Sequence, residues 1–360
     1  MKKTVFVLAA LAAVSGSAFA QSTVTLYGVA DTNVSYTKFT NGSKATRLEG
    51  LSPWRGPRFA LRGSEDLGGG LKGNFNVEAG YSLANGVTTA NNQLFNRQAW
   101  VGVSGKFGEV RLGRQDTLTR VSNIGGYSDI SAEGELNVND ADVAGSSRPL
   151  MYNFGSRLNN VVGYTSPSFS GLRVRAQAAL RNTVSGTAAS ATSAVDGGRA
   201  SVYGLQATYD AGPLKVAGTY EYFDGQGFNT LGQYNKSFVL GGSYNFGKVT
   251  ALLSYQNIDK FQNSQFAAST ATLGKHDAVN LGVMVPFGQT EVRAQYTMAD
   301  TRASGTAPKL EANKAGVSVR HWLSKRTAVY GFYIERDGDA IASSATLRKS
   351  DVGFGLSHAF

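Results

Sequence analysis

Residues 291–298 read EVRAQYTM. In an extended chain successive side chains point to opposite faces, so Val292, Ala294, Tyr296 and Met298 share one side and Glu291, Arg293, Gln295 and Thr297 the other. One face is oily and the other is polar and charged. The same sorting separates Leu172, Val174, Ala176, Ala178 and Leu180 from Arg173, Arg175, Gln177 and Ala179 in LRVRAQAAL, and it returns in PLKVAGTYEY, SFVLGGSYNF and VTALLSYQ. A period of two along most of the chain predicts an all-β protein whose strands meet an apolar medium on one side and water on the other.

A large β-sandwich or a propeller also alternates, but three features favour a membrane. The strand candidates run to about nine to twelve residues, the length of a tilted bilayer-spanning strand rather than a soluble one of five or six. Their connections alternate between short (SEDLGGG, GKFGE, SFSG, DAG, FGK, FGQ, LSKR) and long and polar (TKFTNGSKATRLEGLSPWRG, NTVSGTAASATSAVDGGR), the pattern of outer-membrane barrels. Aromatic residues such as Tyr244, Phe246, Phe287, Tyr330 and Phe332 collect near strand ends, as interfacial girdles do. Strands are expected near 23–36, 57–65, 71–82, 94–105, 109–115, 158–166, 171–181, 200–210, 213–223, 236–246, 248–258, 276–287, 290–301, 310–323, 326–336 and 350–360. Lipid offers no partners to an edge strand, so the sixteen strands should close into an antiparallel transmembrane β-barrel, wide enough to hold water.

Composition agrees. The 360 residues carry 44 Gly, 7 Pro, 19 Phe and 16 Tyr, an aromatic content foreign to disordered Gly-rich chains. There is no Cys, hence no disulfide framework. Residues 1–20, MKKTVFVLAALAAVSGSAFA, have a basic start, a short apolar core and an A-x-A site, and read as a cleaved secretory signal. Residues 21–360 then form a single barrel domain. No later segment approaches the run of apolar residues that a transmembrane helix requires. Loss of Lys2 and Lys3 leaves a formal charge of about +8 out of +10. No Lys/Arg run or aromatic–basic module accompanies this charge, so nucleic acid is not an expected partner.

One stretch breaks the period. Residues 127–142, YSDISAEGELNVNDAD, hold five carboxylates, and between Val121 and Ser147 there is no Lys or Arg. About forty residues between the fifth and sixth strands, roughly 116–157, lack strand patterning, and so long an irregular connection is usually functional or disordered. Lying outside, its acids would be solvated and without consequence. Folded into the bore they would confront arginines of the polar face, such as Arg58 and Arg62 in PRFALRGS, across a transverse field.

The blocks TVTLYGVADTNVSY, PRFALRGSEDLGGGLKGNFNVEAGY, FNRQAWVGVSGKFGEVRLGRQDT, RLNNVVGYTSPSFSGLRV and DVGFGLSHAF, in that order, resemble the general diffusion porins of Gram-negative outer membranes. The resemblance spans the mature chain. It implies a homotrimer of sixteen-stranded barrels in the outer membrane, each with its third loop folded inward as an eyelet. It implies contact with outer-membrane lipid and lipopolysaccharide, and passage of small hydrophilic solutes and ions. Asp129 and Glu133 stand where the family carries its loop carboxylates, and Arg58, Arg97 and Arg157 match its facing basic cluster, which Arg62, one inward position on, could join. Strict alternation puts Arg97 with the outward Ala99, Val101 and Val103, against the resemblance. The terminal Phe360 implies an assembly signal for the outer-membrane insertion machinery, beside its plain role as a girdle aromatic.

GGGLKG at 68–73 fits G-x-G-x-x-G but lacks a following helix, so it reads as a turn and not a phosphate loop. His276, His321 and His358 lie far apart, with no Ser/His/Asp cluster, so no catalytic residues, metal or cofactor are expected. The reading is therefore a channel for passive diffusion and not an enzyme. Net charge and the inward Arg58, Arg62, Arg173, Arg175 and Arg293 point to a preference for anions. The alternatives are a solute-specific anion channel and a surface adhesin or receptor barrel working through external loops at 37–56 and 182–199.

Overall fold

The computed structural model describes residues 22–50, 54–89, 93–130, 136, 150–151, 156–180, 200–225, 235–261, 274–302, 309–339 and 347–360. The expected signal segment, Glu133 and the loop at 182–199 lie outside the described residues.

The strands are β1 (Thr23–Phe39), β2 (Lys44–Glu49), β3 (Arg58–Gly68), β4 (Leu71–Gly80), β5 (Gln98–Gly105), β6 (Gly108–Asp116), β7 (Arg157–Thr165), β8 (Leu172–Ala179) and β9 (Ala200–Ala211). They continue with β10 (Leu214–Gly225), β11 (Asn235–Asn245), β12 (Thr250–Phe261), β13 (Gly274–Phe287), β14 (Thr290–Arg302), β15 (Lys309–Trp322), β16 (Thr327–Asp337) and β17 (Arg348–Ala359). From β3 on, each pairs antiparallel with the next, and β17 returns to β1 with Val29 opposite Ala359 and Lys38 opposite Ser350. No edge is left open, as hydrocarbon surroundings require.

Seventeen segments make sixteen staves. The first half of β1, Thr23 to Val29, pairs with β3, and its second half, Asn33 to Lys38, pairs with β2. β2 and β3 are thus one wall position, interrupted at 50–57. This corrects the expectation of an external loop over 37–56. Lys44–Glu49 extend the wall, held by the Glu49 carboxylate, which accepts from Ser35 Oγ at 2.9 Å and pairs with Arg348 at 3.0 Å.

The outer face carries Leu26, Leu61, Val101, Leu112, Leu205, Leu240, Leu253, Leu281 and Leu356, all exposed on the isolated barrel. Lipid covers such side chains, and each contributes about 1.5–3 kcal/mol once out of water. Phe107, Phe169, Tyr209, Tyr244, Phe246, Phe287 and Phe360 ring the end with short turns. Tyr203, Phe238, Tyr255, Tyr296 and Tyr333 lie about eight residues further along, leaving an apolar band between two aromatic girdles. By that pattern the short-turn end is periplasmic. The first of its turns is the expected one at Gly68, Gly69 and Gly70, whose φ values of 81°, 62° and 80° only glycine adopts without strain. The terminal residue closes the seam. Phe360 and Gly28 exchange both backbone hydrogen bonds at 3.1 Å, and the Phe360 ring lies over the space a Gly28 side chain would fill.

Candidate functional site

After β6 the chain turns inward. Leu118–Ile124 form a short helix, α1, which the sequence did not announce. Thr117 caps it by accepting from Arg120 N, and the two amides left over at its start donate to Glu221 on β10: Leu118 N at 2.9 Å and Thr119 N at 3.3 Å. The Thr119 hydroxyl donates to the same fully buried carboxylate. A wall residue therefore satisfies orphan donors that the helix cannot satisfy itself.

The segment then crosses the inner face of the barrel from β9 to β15. Wall side chains hold its main-chain carbonyls: Gln206 on Leu118 O (2.8 Å), Ser243 on Gly126 O (3.3 Å), Ser254 and Asn280 on Ser128 O (both 2.9 Å), and Gln295 on Leu136 O (3.0 Å). His276 Nε2 lies 2.9 Å from Leu150 O on the returning limb. Between these polar grips the wall is cut down to glycine. A Cβ on Gly204 would stand 2.8 Å from Leu118, one on Gly282 2.6 Å from Ile130, one on Gly316 2.7 Å from Leu136, and one on Gly241 would overlap the Tyr127 carbonyl. The loop rides in a track of missing side chains.

Asp129 lies on this infolded segment and is fully buried, so its carboxylate does not reach lumen water. Glu133 lies outside the described residues. The charges on the described inner wall form a compact cluster instead. Glu78 on β4 pairs with Arg97 and lies 3.9 Å from Arg58. Asp116, at the end of β6, takes Arg120 and Arg157, each at 3.1 Å, while Gln98 donates to its other oxygen at 3.0 Å. All four guanidinium groups act on Asp116. Among the described residues, four arginines thus gather around these two carboxylates.

Arg58, Arg97 and Arg157 lie together in this cluster. Arg97 lies against the inward Glu78, against strict alternation; it stands one residue before β5 begins, with its amide donating to Glu78 O at 3.1 Å. Arg62 does not join the pairs; its guanidinium lies over the Tyr27 ring, 5.1 Å from the centroid. Arg173, Arg175 and Arg293 are inward, towards the periplasmic side. Arg175 donates to Gln206 at 2.8 Å, and Arg293 pairs with Glu291 at 2.8 Å. Arg111, also inward, pairs with Glu109 at 2.6 Å and stacks on Trp100 at 4.0 Å. Glu78, Asp116, Arg111 and Arg120 were not singled out from sequence. Glu78 shares a face with Asn74 and Asn76 in NFNVEAG, a pattern that marks it as inward but does not reveal which arginines it meets. Among the described residues no group of His and carboxylates could hold a metal ion.

A closed, oily-skinned barrel with a charged interior and an infolded segment defines a membrane channel of the porin class. Residues 7–340 match the family described as Gram-negative porin, and the chain belongs to that family. It is 34% identical to outer membrane porin protein 32 of Delftia acidovorans, over 92% of this chain and 88% of that one. It is 29% identical to an outer membrane porin protein of Bordetella pertussis over the full length of both. The solved anion-selective porin from Comamonas acidovorans superposes with a TM-score of 0.73 at 28% identity, covering 94% of this chain and all of that one. The protein is a Gram-negative outer-membrane β-barrel that lets small hydrophilic solutes diffuse passively. Family and fold point to a channel rather than an enzyme.

Proposed function

We propose that this porin favours anions and that its selective constriction is the arginine cluster Arg58, Arg97, Arg120 and Arg157, with Arg62 beside it. The observation that carries the reading is the convergence of four arginines on one patch of the inner wall, around Glu78 and Asp116. Other inner-wall pairs are closer to balance: Arg336 and Arg348 are matched by Asp351 and Glu49. Fixed charge of one sign, set in low-dielectric walls, raises the local concentration of the opposite ion. The relative with an anion-selective channel supports the same reading. Of the two loop carboxylates expected there, Glu133 supplies the opposing negative charge, since Asp129 is buried.

Reversal potentials of reconstituted channels under a KCl gradient test it. The wild type is expected to give the anion sign, Arg58→Ser a reduced one, and Glu133→Gln an increased one. A cation sign in the wild type, or no change in either variant, overturns the assignment.

We further infer assembly as a homotrimer through the outer faces of β17, β1 and β3 to β6. That arc presents mainly Val and Leu, including Val24, Leu26, Val101, Val103, Leu112 and Leu356, while the tyrosine girdles lie on β7 to β16. Lipopolysaccharide and lipid then meet the girdled arc, and Phe360 is offered to the insertion machinery. A monomer in mild detergent, by sedimentation, counts against this assembly.

A further inference from the structure

Arg173 and Arg175 stand two positions apart on the inner face of β8, just inside the short turn that follows β7. Their backbones are about 7 Å apart along the strand. Arg175 Nη1 donates to Gln206 Oε1 at 2.8 Å and lies 3.4 Å from Thr208 Oγ1, both uncharged acceptors. Gln206 also donates to Leu118 O at 2.8 Å and to Ser122 Oγ at 2.9 Å, so Arg175 is tethered directly beneath α1.

Among the described residues, no carboxylate pairs with either arginine. The acids of the flanking strands are engaged elsewhere. Glu109 is held by Arg111 at 2.6 Å and by Asn74 at 3.1 Å, and Asp210 lies 3.4 Å from Lys215. The charges that do act on Arg175 are of its own sign, those of Arg173 and Arg111. Both β8 arginines are half-buried, yet none of their N–H groups lacking a protein acceptor is sealed from water. Thr165 lies directly opposite Arg175 on β7 and adds a hydroxyl to the same face. The wall thus keeps two like charges side by side, an unfavourable arrangement that an anion relieves.

We propose that Arg173 and Arg175, with the Thr165 hydroxyl beside them, form a phosphate station on the periplasmic side of the infolded segment. It takes inorganic phosphate and phosphate monoesters as they leave the constriction. A tetrahedral dianion presents several oxygens, so each guanidinium donates to a different one and two positive charges meet two negative ones. A monovalent carboxylate fills one fork and leaves the other arginine unmatched. The inference rests on the anion-preferring reading and deepens it by naming a solute class.

The test is block of single-channel KCl current by phosphate and by acetate at about pH 8, where phosphate carries two charges. In the wild type, phosphate is expected to half-block at a concentration about tenfold or more below that of acetate, the scale of one added charge-assisted contact. Arg173→Gln and Arg175→Gln should each raise the phosphate value about tenfold and move the acetate value by less than about threefold. Arg173→Lys should stay within about threefold of the wild type, since an ammonium still binds phosphate as a point charge. Lys215→Gln is the control: it removes one positive charge from the same wall two strands away, and should leave both values within about twofold. Equal block by the two anions in the wild type, or a loss in Lys215→Gln as large as in Arg173→Gln, overturns the station. Discrete KCl steps from each variant certify a folded channel. The two readings fail separately: a wild-type reversal potential of cation sign overturns the anion bias, whereas the ratio of phosphate to acetate block decides the station.

Discussion

Gly282→Ala puts a methyl group into the track that seats the loop. The new Cβ would lie 2.6 Å from Ile130 Cβ and 2.8 Å from its Cγ2. Apolar carbons rest near 3.5–4.0 Å, so the loop must withdraw by about 1 Å. It cannot do so freely. Two residues away, Ser128 O is held by Ser254 Oγ and Asn280 Nδ2, both at 2.9 Å, and a withdrawal of that size stretches both beyond hydrogen-bonding range. At about 1 kcal/mol net per bond, docking weakens by about 2 kcal/mol, a shift of about 30-fold in the ratio of seated to unseated loop. The ladders of β13 with β12 and β14 need not change, so the barrel's thermal unfolding should stay near that of the wild type. Single-channel recording reads the difference as excess open-channel noise and added conductance levels. Gly218→Ala is the control: a Cβ there meets nothing within 4 Å. If Gly282→Ala records as quietly as Gly218→Ala, with one unchanged level, the glycines are not the loop's seat.

Glu221→Ala should loosen the start of α1 by about 2–5 kcal/mol, since Leu118 N and Thr119 N lose a buried acceptor, with Glu221→Gln milder; protease cleavage in the loop of the folded protein measures it. Glu78→Gln should strengthen anion preference and Arg97→Gln weaken it, because each alters the constriction charge by one unit in opposite directions. Both shifts, measured as KCl reversal potentials, should shrink between 0.1 M and 1 M salt, as the screening length falls from about 10 Å to about 3 Å. Deleting Phe360 removes two closing hydrogen bonds and uncovers Gly28, and the yield of assembled protein at the cell surface should fall; unchanged surface yield would refute both the sealing and the signalling role.

Alternation alone carried the barrel. In EVRAQYTM it placed Arg293 inward and Tyr296 and Met298 outward, as the structure has them, because each strand samples the same two media along its length. It failed at Arg97, one residue before β5 begins. It also missed β2, whose KATRLE is polar at both ends and is followed, after a break, by the buried Trp54. The charged cluster was half legible. Arg58 and Arg157 declare themselves, but their partners Glu78 and Asp116 depend on cross-strand register, which no single strand encodes. Helix α1 was not legible at all. Seven residues are too few to nucleate a helix unaided, and the acceptor that steadies its start stands 103 residues further along the chain.

The wall grips the infolded segment by its carbonyls and by a few side chains seated over glycine or paired with the wall, such as Leu118, Thr119, Arg120, Ile130 and Leu136. Address and content are thereby uncoupled. The barrel dictates where the segment lies, while the residues it turns towards passing solutes are free to drift under selection. Descendants of one scaffold can acquire new diets by rewriting that edge, with the architecture inherited unchanged.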